Sequence, residues 1–112
     1  MSDAEELFAF QVRALKMLAP VRNYRFLPGR KFEIDFAWPE LMVGIEIQGG
    51  IWRTGGGAHS RPANIERDIE KHNLLLDHGW RVWQFTTQAV KSGEAVQKMQ
   101  QVLQGGDDGR PV

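Results

Sequence analysis

The chain has 112 residues, 42% of them hydrophobic, with no cysteine and a formal net charge of zero at pH 7. That length fits one domain, the neutral balance argues against a purely electrostatic nucleic-acid binder, and the missing cysteines rule out disulfides and thiolate metal sites. No run approaches the roughly 18 apolar residues of a membrane span, and the acidic, polar start before Leu7 is unlike a signal peptide, so no membrane association and a cytoplasmic location are expected.

Residues 2 to 18 read as a helix. Ser2 and Glu5 form a capping box, which gives Glu5 a structural job. Leu7, Phe10, Ala14, Leu15 and Leu18 form the apolar stripe. Glu6, on the margin of that stripe, is either a solvated first-turn acid favoured by the helix dipole or a further carboxylate leaning toward the sheet. Ala19-Pro20 ends the helix, Val21 to Leu27 can form a first strand, and Pro28-Gly29 is a turn. The six cations Arg13, Lys16, Arg22, Arg25, Arg30 and Lys31 fall in one stretch that contains no acid. That stretch is either a solvated face or an approach surface for a polyanion.

A hairpin follows directly. Phe32, Ile34 and Phe36 share one face with period two, and Glu33, Asp35 and Ala37 share the other. Trp38-Pro39-Glu40 interrupts the run, since proline cannot donate to a ladder. Val43, Ile45 and Ile47 then share one face, and Gly44, Glu46 and Gln48 the other. Between Glu33 and Gln48 stand four acids (Glu33, Asp35, Glu40, Glu46) and no cation. A solvated sheet face accounts for them. So does a divalent cation that relieves their mutual repulsion, and hard carboxylate oxygens suit Mg²⁺ or Mn²⁺.

Residues 49 to 63 form a glycine-rich loop that lacks the Gly-Lys-Ser/Thr of a phosphate-cradling P-loop. It carries Arg53, His59 and Arg61, and loops on rigid sheets are where binding residues concentrate. Asn64 can cap a helix running to His78, with Ile65, Ile69, Leu74 and Leu75/Leu76 buried and Lys71 mid-helix. Gly79 stops it. Trp80 to Phe85 is a strand with Val82 and Phe85 inward. Thr87 can cap a last helix, Gln88 to Leu103, whose first turns Gly93 weakens. Residues 1–104 are expected to form one domain and 105–112 a disordered polar tail. The order α-β-β-β-α-β-α predicts an α/β domain of the α+β kind, with a mixed sheet carrying helices on both faces.

Asp35, ten intervening residues and then Glu46-Ile47-Gln48 resemble the PD-(D/E)XK nuclease motif, with Gln in the usual Lys place. The element order is similar to that restriction-endonuclease-like αβββαβ(α) core. Tyr24-Arg25-Phe26, Asp35-Phe36-Ala37-Trp38-Pro39, Glu46-Ile47-Gln48-Gly49-Gly50-Ile51-Trp52, Asp68-Ile69-Glu70-Lys71-His72-Asn73 and Gly79-Trp80-Arg81-Val82 resemble small phage and prophage endonucleases related to very-short-patch-repair and DUF559 types.

The resemblance implies a metal-dependent DNA endonuclease. Asp35 and Glu46 would hold Mg²⁺ or Mn²⁺, the Ile47 carbonyl would complete the site, and Gln48 would stand where a Lys usually orients the attacking water. Lys71 is the candidate for the missing positive charge, and His59 matches the family's loop histidine. Arg22, Arg25, Arg30, Arg53 and Arg61 would hold DNA phosphates. The substrate would be DNA, with branched, mismatched and single-stranded forms all open, and cutters of two strands often pair as homodimers. Two departures stand out: no acid at Asn23, for which Glu6 is the nearest substitute, and no motif Lys. They leave a second reading, a catalytically weak or inactive scaffold that binds DNA or protein.

Overall fold

The computed structural model describes residues 2–48 and 62–105. The loop bearing Arg53, His59 and Arg61, and the tail from 106 to 112, lie outside the described residues. Helix α1 spans Asp3–Ala14, capped by Ser2, whose Oγ accepts from the Glu5 amide at 3.1 Å. It is followed by strands β1 (Val21–Arg25) and β2 (Glu33–Trp38), a 3₁₀ turn (Pro39–Leu41) and strand β3 (Val43–Gln48). Helix α2 (Pro62–Asp77), strand β4 (Arg81–Thr86) and helices α3 (Thr87–Lys91) and α4 (Glu94–Leu103) complete the chain. The sheet order is β1-β2-β3-β4; β1, β2 and β3 pair antiparallel in sequence, and β4 adds parallel to β3 after the α2 crossover. This is the α+β domain with a mixed sheet and helices on both faces that the element order predicts.

Several boundaries move for local reasons. Helix α1 stops a turn before Leu18 because Lys16 adopts φ 54°. Its N–H and that of Met17 fold back onto the Arg13 and Val12 carbonyls at 3.0 and 3.1 Å, a Schellman closure with lysine where glycine usually sits. Helix α2 is already under way at Pro62, so Asn64 lies within it and does not cap it. The expected last helix is broken in two by Gly93 at φ 89°, and the cap of α3 is Thr86, one residue before the expected Thr87, with its Oγ1 accepting from the Ala89 amide at 3.1 Å.

The helices divide unequally over the sheet. On one face α1, α3 and α4 enclose the main core, where Phe8, Val12, Phe36, Trp38, Ile45 and Met99 are almost wholly buried. The Phe8 and Phe36 rings meet at 4.9 Å. The buried stripe of α1 is therefore Ala4, Phe8, Ala9 and Val12, whereas Phe10, Leu15 and Leu18 of the expected stripe are exposed. On the other face α2 packs thinly, through Leu75 and partly Leu74, onto a smaller cluster of Phe26, Ile34, Ala37 and Trp80. The expected Ile65, Ile69 and Leu76 face solvent. The stripe that α2 turns toward the sheet is Asp68, Lys71, His72 and Leu75, spaced i, i+3, i+4 and i+7.

Strand β3 alternates as expected, with Val43, Ile45 and Ile47 on the main core. Strand β2 does not, because Ile34, with Phe32 just before the strand, joins the α2-side cluster while Phe36 stays in the main core. Two features produce the switch. Asn23, on the neighbouring strand, holds φ 50°, a left-handed conformation that asparagine tolerates better than most residues. The space over Gly44 is filled by Ile34: a Cβ on Gly44 would lie 2.7 Å from Ile34 Cγ2 and 2.8 Å from the Phe36 carbonyl oxygen. The carbonyl belongs to a paired strand and has nowhere to go. Gly44→Ala is thus expected to destabilise the fold by about 1–3 kcal/mol, read as a lower urea midpoint with an unchanged slope.

Candidate active site

The thin packing of α2 leaves a cleft of about 490 Å³ between that helix and the sheet. Asp35 from β2, Glu46, Ile47 and Gln48 from β3, and Val82 and Gln84 from β4 form its floor; Asp68, Lys71 and His72 from α2 form the opposite wall. Asp35 and Glu46 both line one cleft, just beyond the last β2–β3 pair of a register that runs Trp38↔Val43, Ala37↔Gly44, Phe36↔Ile45. There the two strands are joined by a side chain: Asp35 Oδ2 accepts from the Ile47 amide at 2.8 Å. The carboxylate is thereby held in place, and the Ile47 amide is committed to it.

Glu46 is 7% exposed, the one buried charged residue among the described residues. A buried carboxylate needs a partner or it is strongly disfavoured. Lys71 provides it, with its ammonium Nζ on Glu46 Oε2. The contact crosses the cleft, from the α2 wall to the β3 floor.

The remaining expected site residues are spread more widely. Glu6 lies outside the cleft, exposed, with its Oε2 3.1 Å from Arg22 Nη2. Its neighbour Glu5 is the α1 acid that the Asp35 charge acts on. Partial burial, then Asp35, raise the Glu5 carboxyl above the usual glutamate range, against the opposing pull of Arg22. Helix position explains the exchange: Glu5 precedes Phe8 and Val12 by three and seven residues and so shares their sheet-facing side, while Glu6 is turned outward. Glu5 therefore has both the backbone role expected of Ser2-x-x-Glu5 and an electrostatic one. Asp68 and His72 stood in the sequence only within the Asp68-to-Asn73 stretch, with no role given them; their i, i+4 spacing, with Lys71 between, was the available signal.

Of the arginines expected on phosphates, the three among the described residues, Arg22, Arg25 and Arg30, each lie beside an acid. Arg22 lies against Glu5 and Glu6 and over the Phe36 ring at 5.0 Å. Arg25 lies 3.7 Å from Glu33, and Arg30 lies 2.8 Å from Glu70 and over the Phe32 ring at 4.7 Å. Exposed pairs of this kind are weak, so their charge remains available to a polyanion even though each has an acid beside it.

The raised Glu5 carboxyl has a sign that can be checked. The folded state holds the Glu5 proton more tightly than the unfolded chain, so this residue's contribution is fully present below the ordinary glutamate range and is lost as pH rises through the raised value. Glu5→Gln is expected to increase stability at neutral pH, and the gain should fade as the solution is acidified through that range. Urea titrations across pH would read it; a gain that persists at low pH would mean the carboxyl is not the cause.

No group of three or more His, Asp or Glu side chains is placed to hold a metal among the described residues. Two carboxylates fit an ion that keeps several of its own waters, as Mg²⁺ does. A carboxylate with a cation already on it shows that positive charge is held at this point.

The fold and cleft define a small α+β domain with acids of adjacent strands gathered at one end of the sheet beneath a crossover helix. The catalytic domain of the homing endonuclease I-Bth0305I has this fold: the two superpose with a TM-score of 0.67 over 96% of this chain and 100% of that chain, at 16% sequence identity. At that identity the likeness is one of fold. No family model matches this sequence, and no curated protein matches it. Among the described residues, no helix is long and apolar enough to cross a membrane.

Proposed function

We propose that the chain is a divalent-metal-dependent DNA endonuclease of the PD-(D/E)XK type, hydrolysing phosphodiester bonds in the cleft beneath α2. The observation that carries this reading is Glu46, buried beside Asp35 on the cleft floor and faced by Lys71 from the other wall. The likeness of fold to a homing endonuclease catalytic domain points the same way.

Asp35 and Glu46 would hold Mg²⁺ or Mn²⁺, and the rigid Asp35–Ile47 contact orients the first of them. When bound, the ion supplies Lewis-acid polarisation of the phosphate and a more acidic water. The chain's own groups do the rest. Lys71 offers a positive charge to the phosphoryl oxygens as negative charge builds on them. Gln48, at the end of β3, can orient the incoming water through its amide without carrying charge. Glu5 adds negative charge next to Asp35 and strengthens the floor's preference for a cation. Arg22, Arg25 and Arg30 act on flanking phosphates, which positions the duplex without reading its bases.

The test is a panel of plasmid, single-stranded, mismatched and branched DNA incubated with the purified chain and Mg²⁺ or Mn²⁺, with chelator as control. Metal-dependent cutting of any member is the expected result. Activity unaffected by chelator would remove the metal from the mechanism.

One observation favours a second reading. The Lys71 ammonium already satisfies Glu46, which is what a scaffold that binds DNA without cutting it would retain. Such a module should bind DNA equally well in chelator, cut nothing, and take up no Mn²⁺ at Glu46.

A further inference from the structure

We infer that Lys71 is a resident counter-ion which must leave Glu46 when a divalent ion is taken up, so that one lysine both weakens ion binding and is released toward the substrate. The inference rests on the metal-dependent reading of the cleft. It concerns what holds the site together before any ion arrives.

The argument starts from burial. Glu46 is 7% exposed, so its carboxylate has lost most of its water and depends on a protein partner. Lys71 Nζ is that partner, and it sits on Oε2, one of the two oxygens through which a metal ion could bind. A divalent ion on either oxygen of that carboxylate would stand beside the ammonium, and the two cations repel. Asp35 and Glu46 together carry two negative charges, which Lys71 reduces to one. Asp68 lines the facing wall of the same cleft, but a dication added without displacement would still have the ammonium pressed against it on the same carboxylate. In a partly buried cleft that repulsion is large, because the effective dielectric is well below that of water.

Displacement is structurally easy. The Lys71 side chain is 21% exposed, its four-carbon stem is flexible, and the adjoining cleft of about 490 Å³ has room for its head. Ejected from Glu46, the ammonium stays tethered to α2 on the wall facing the floor, where a phosphate between floor and wall would meet it. Ion uptake and lysine release are then one event, and a bound phosphate anion favours both. By linkage, DNA should tighten ion binding as much as the ion tightens DNA binding.

The test is Mn²⁺ binding to the full chain without DNA, followed calorimetrically at about pH 8 to limit proton competition. Lys71→Met is expected to bind Mn²⁺ about tenfold or more tighter than the unaltered chain, even though it cuts DNA more slowly. Glu46→Gln should lose the binding. If the unaltered chain binds Mn²⁺ through Glu46 and Lys71→Met binds it no more tightly, the counter-ion inference is overturned while the nuclease reading stands. If Glu46→Gln binds as well as the unaltered chain, the ion site is elsewhere and both fall. A second measurement needs no variant: the NMR signal of the Lys71 ammonium should shift on saturation with diamagnetic Mg²⁺, and a signal that stays put while Mg²⁺ binds would overturn the inference.

Discussion

Glu46→Gln should lower metal-dependent cleavage of plasmid DNA by at least about a thousandfold, with Asp35→Asn close behind. The two substitutions are chosen because each keeps shape and hydrogen bonding while removing charge. In Asp35→Asn the side-chain amide oxygen can still accept from the Ile47 amide, the contact that joins β2 to β3 at 2.8 Å. In Glu46→Gln the amide oxygen remains an acceptor for Lys71, whose partly exposed head can reach water. Circular dichroism should therefore look unchanged while cutting disappears. Cleavage at the normal rate in either variant would exclude the proposed mechanism.

The largest expected effect on stability lies on the opposite face of the sheet. Trp38 has no measurable exposure, ends β2 within the main core, and donates from Nε1 to the Leu18 carbonyl at 2.8 Å. It thus ties the segment after α1 to the sheet as well as filling the core. Trp38→Ala is expected to destabilise the domain by about 3–5 kcal/mol, a large part of the roughly 5–15 kcal/mol that holds a domain folded. Trp38→Phe, which keeps most of the volume but orphans the Leu18 carbonyl, should cost about 1–3 kcal/mol. Urea unfolding of the three proteins separates the two terms. An equal loss in both variants would mean that the hydrogen bond, not the packing, dominates.

Strand β3 was fully legible in the sequence because each face of a strand is written in alternate residues. The same reading failed on β2, where Ile34 crosses to fill the volume that Gly44 leaves open and Asn23 bends the neighbouring strand. Neither is a property of β2's own residues. In helix α2 the apolar positions Ile65, Ile69 and Leu76 suggested one inward face, yet the residues on the cleft are Asp68, Lys71 and His72. An apolar stripe marks the buried side only where a core waits to receive it, and beneath α2 there is a polar cleft. The two readings of Glu6 stayed open for a related reason: a one-residue step turns a side chain by about 100° around a helix axis, and only the docked orientation of α1 decides whether Glu5 or Glu6 meets the sheet.

By itself, the sequence determined the order of elements, the mixed sheet, the alternation of β3 and the gathering of uncompensated acids on one hairpin. These follow from short-range sterics and from charge spacing along the backbone. The tertiary structure alone decided that Lys71 crosses the cleft to Glu46, that Asp35 closes onto the Ile47 amide, and that Arg22 is shared between Glu5 and Glu6. Each of those contacts joins residues from different elements. Their geometry depends on how two surfaces dock, and docking is settled by burial summed over the whole core rather than by any local pattern.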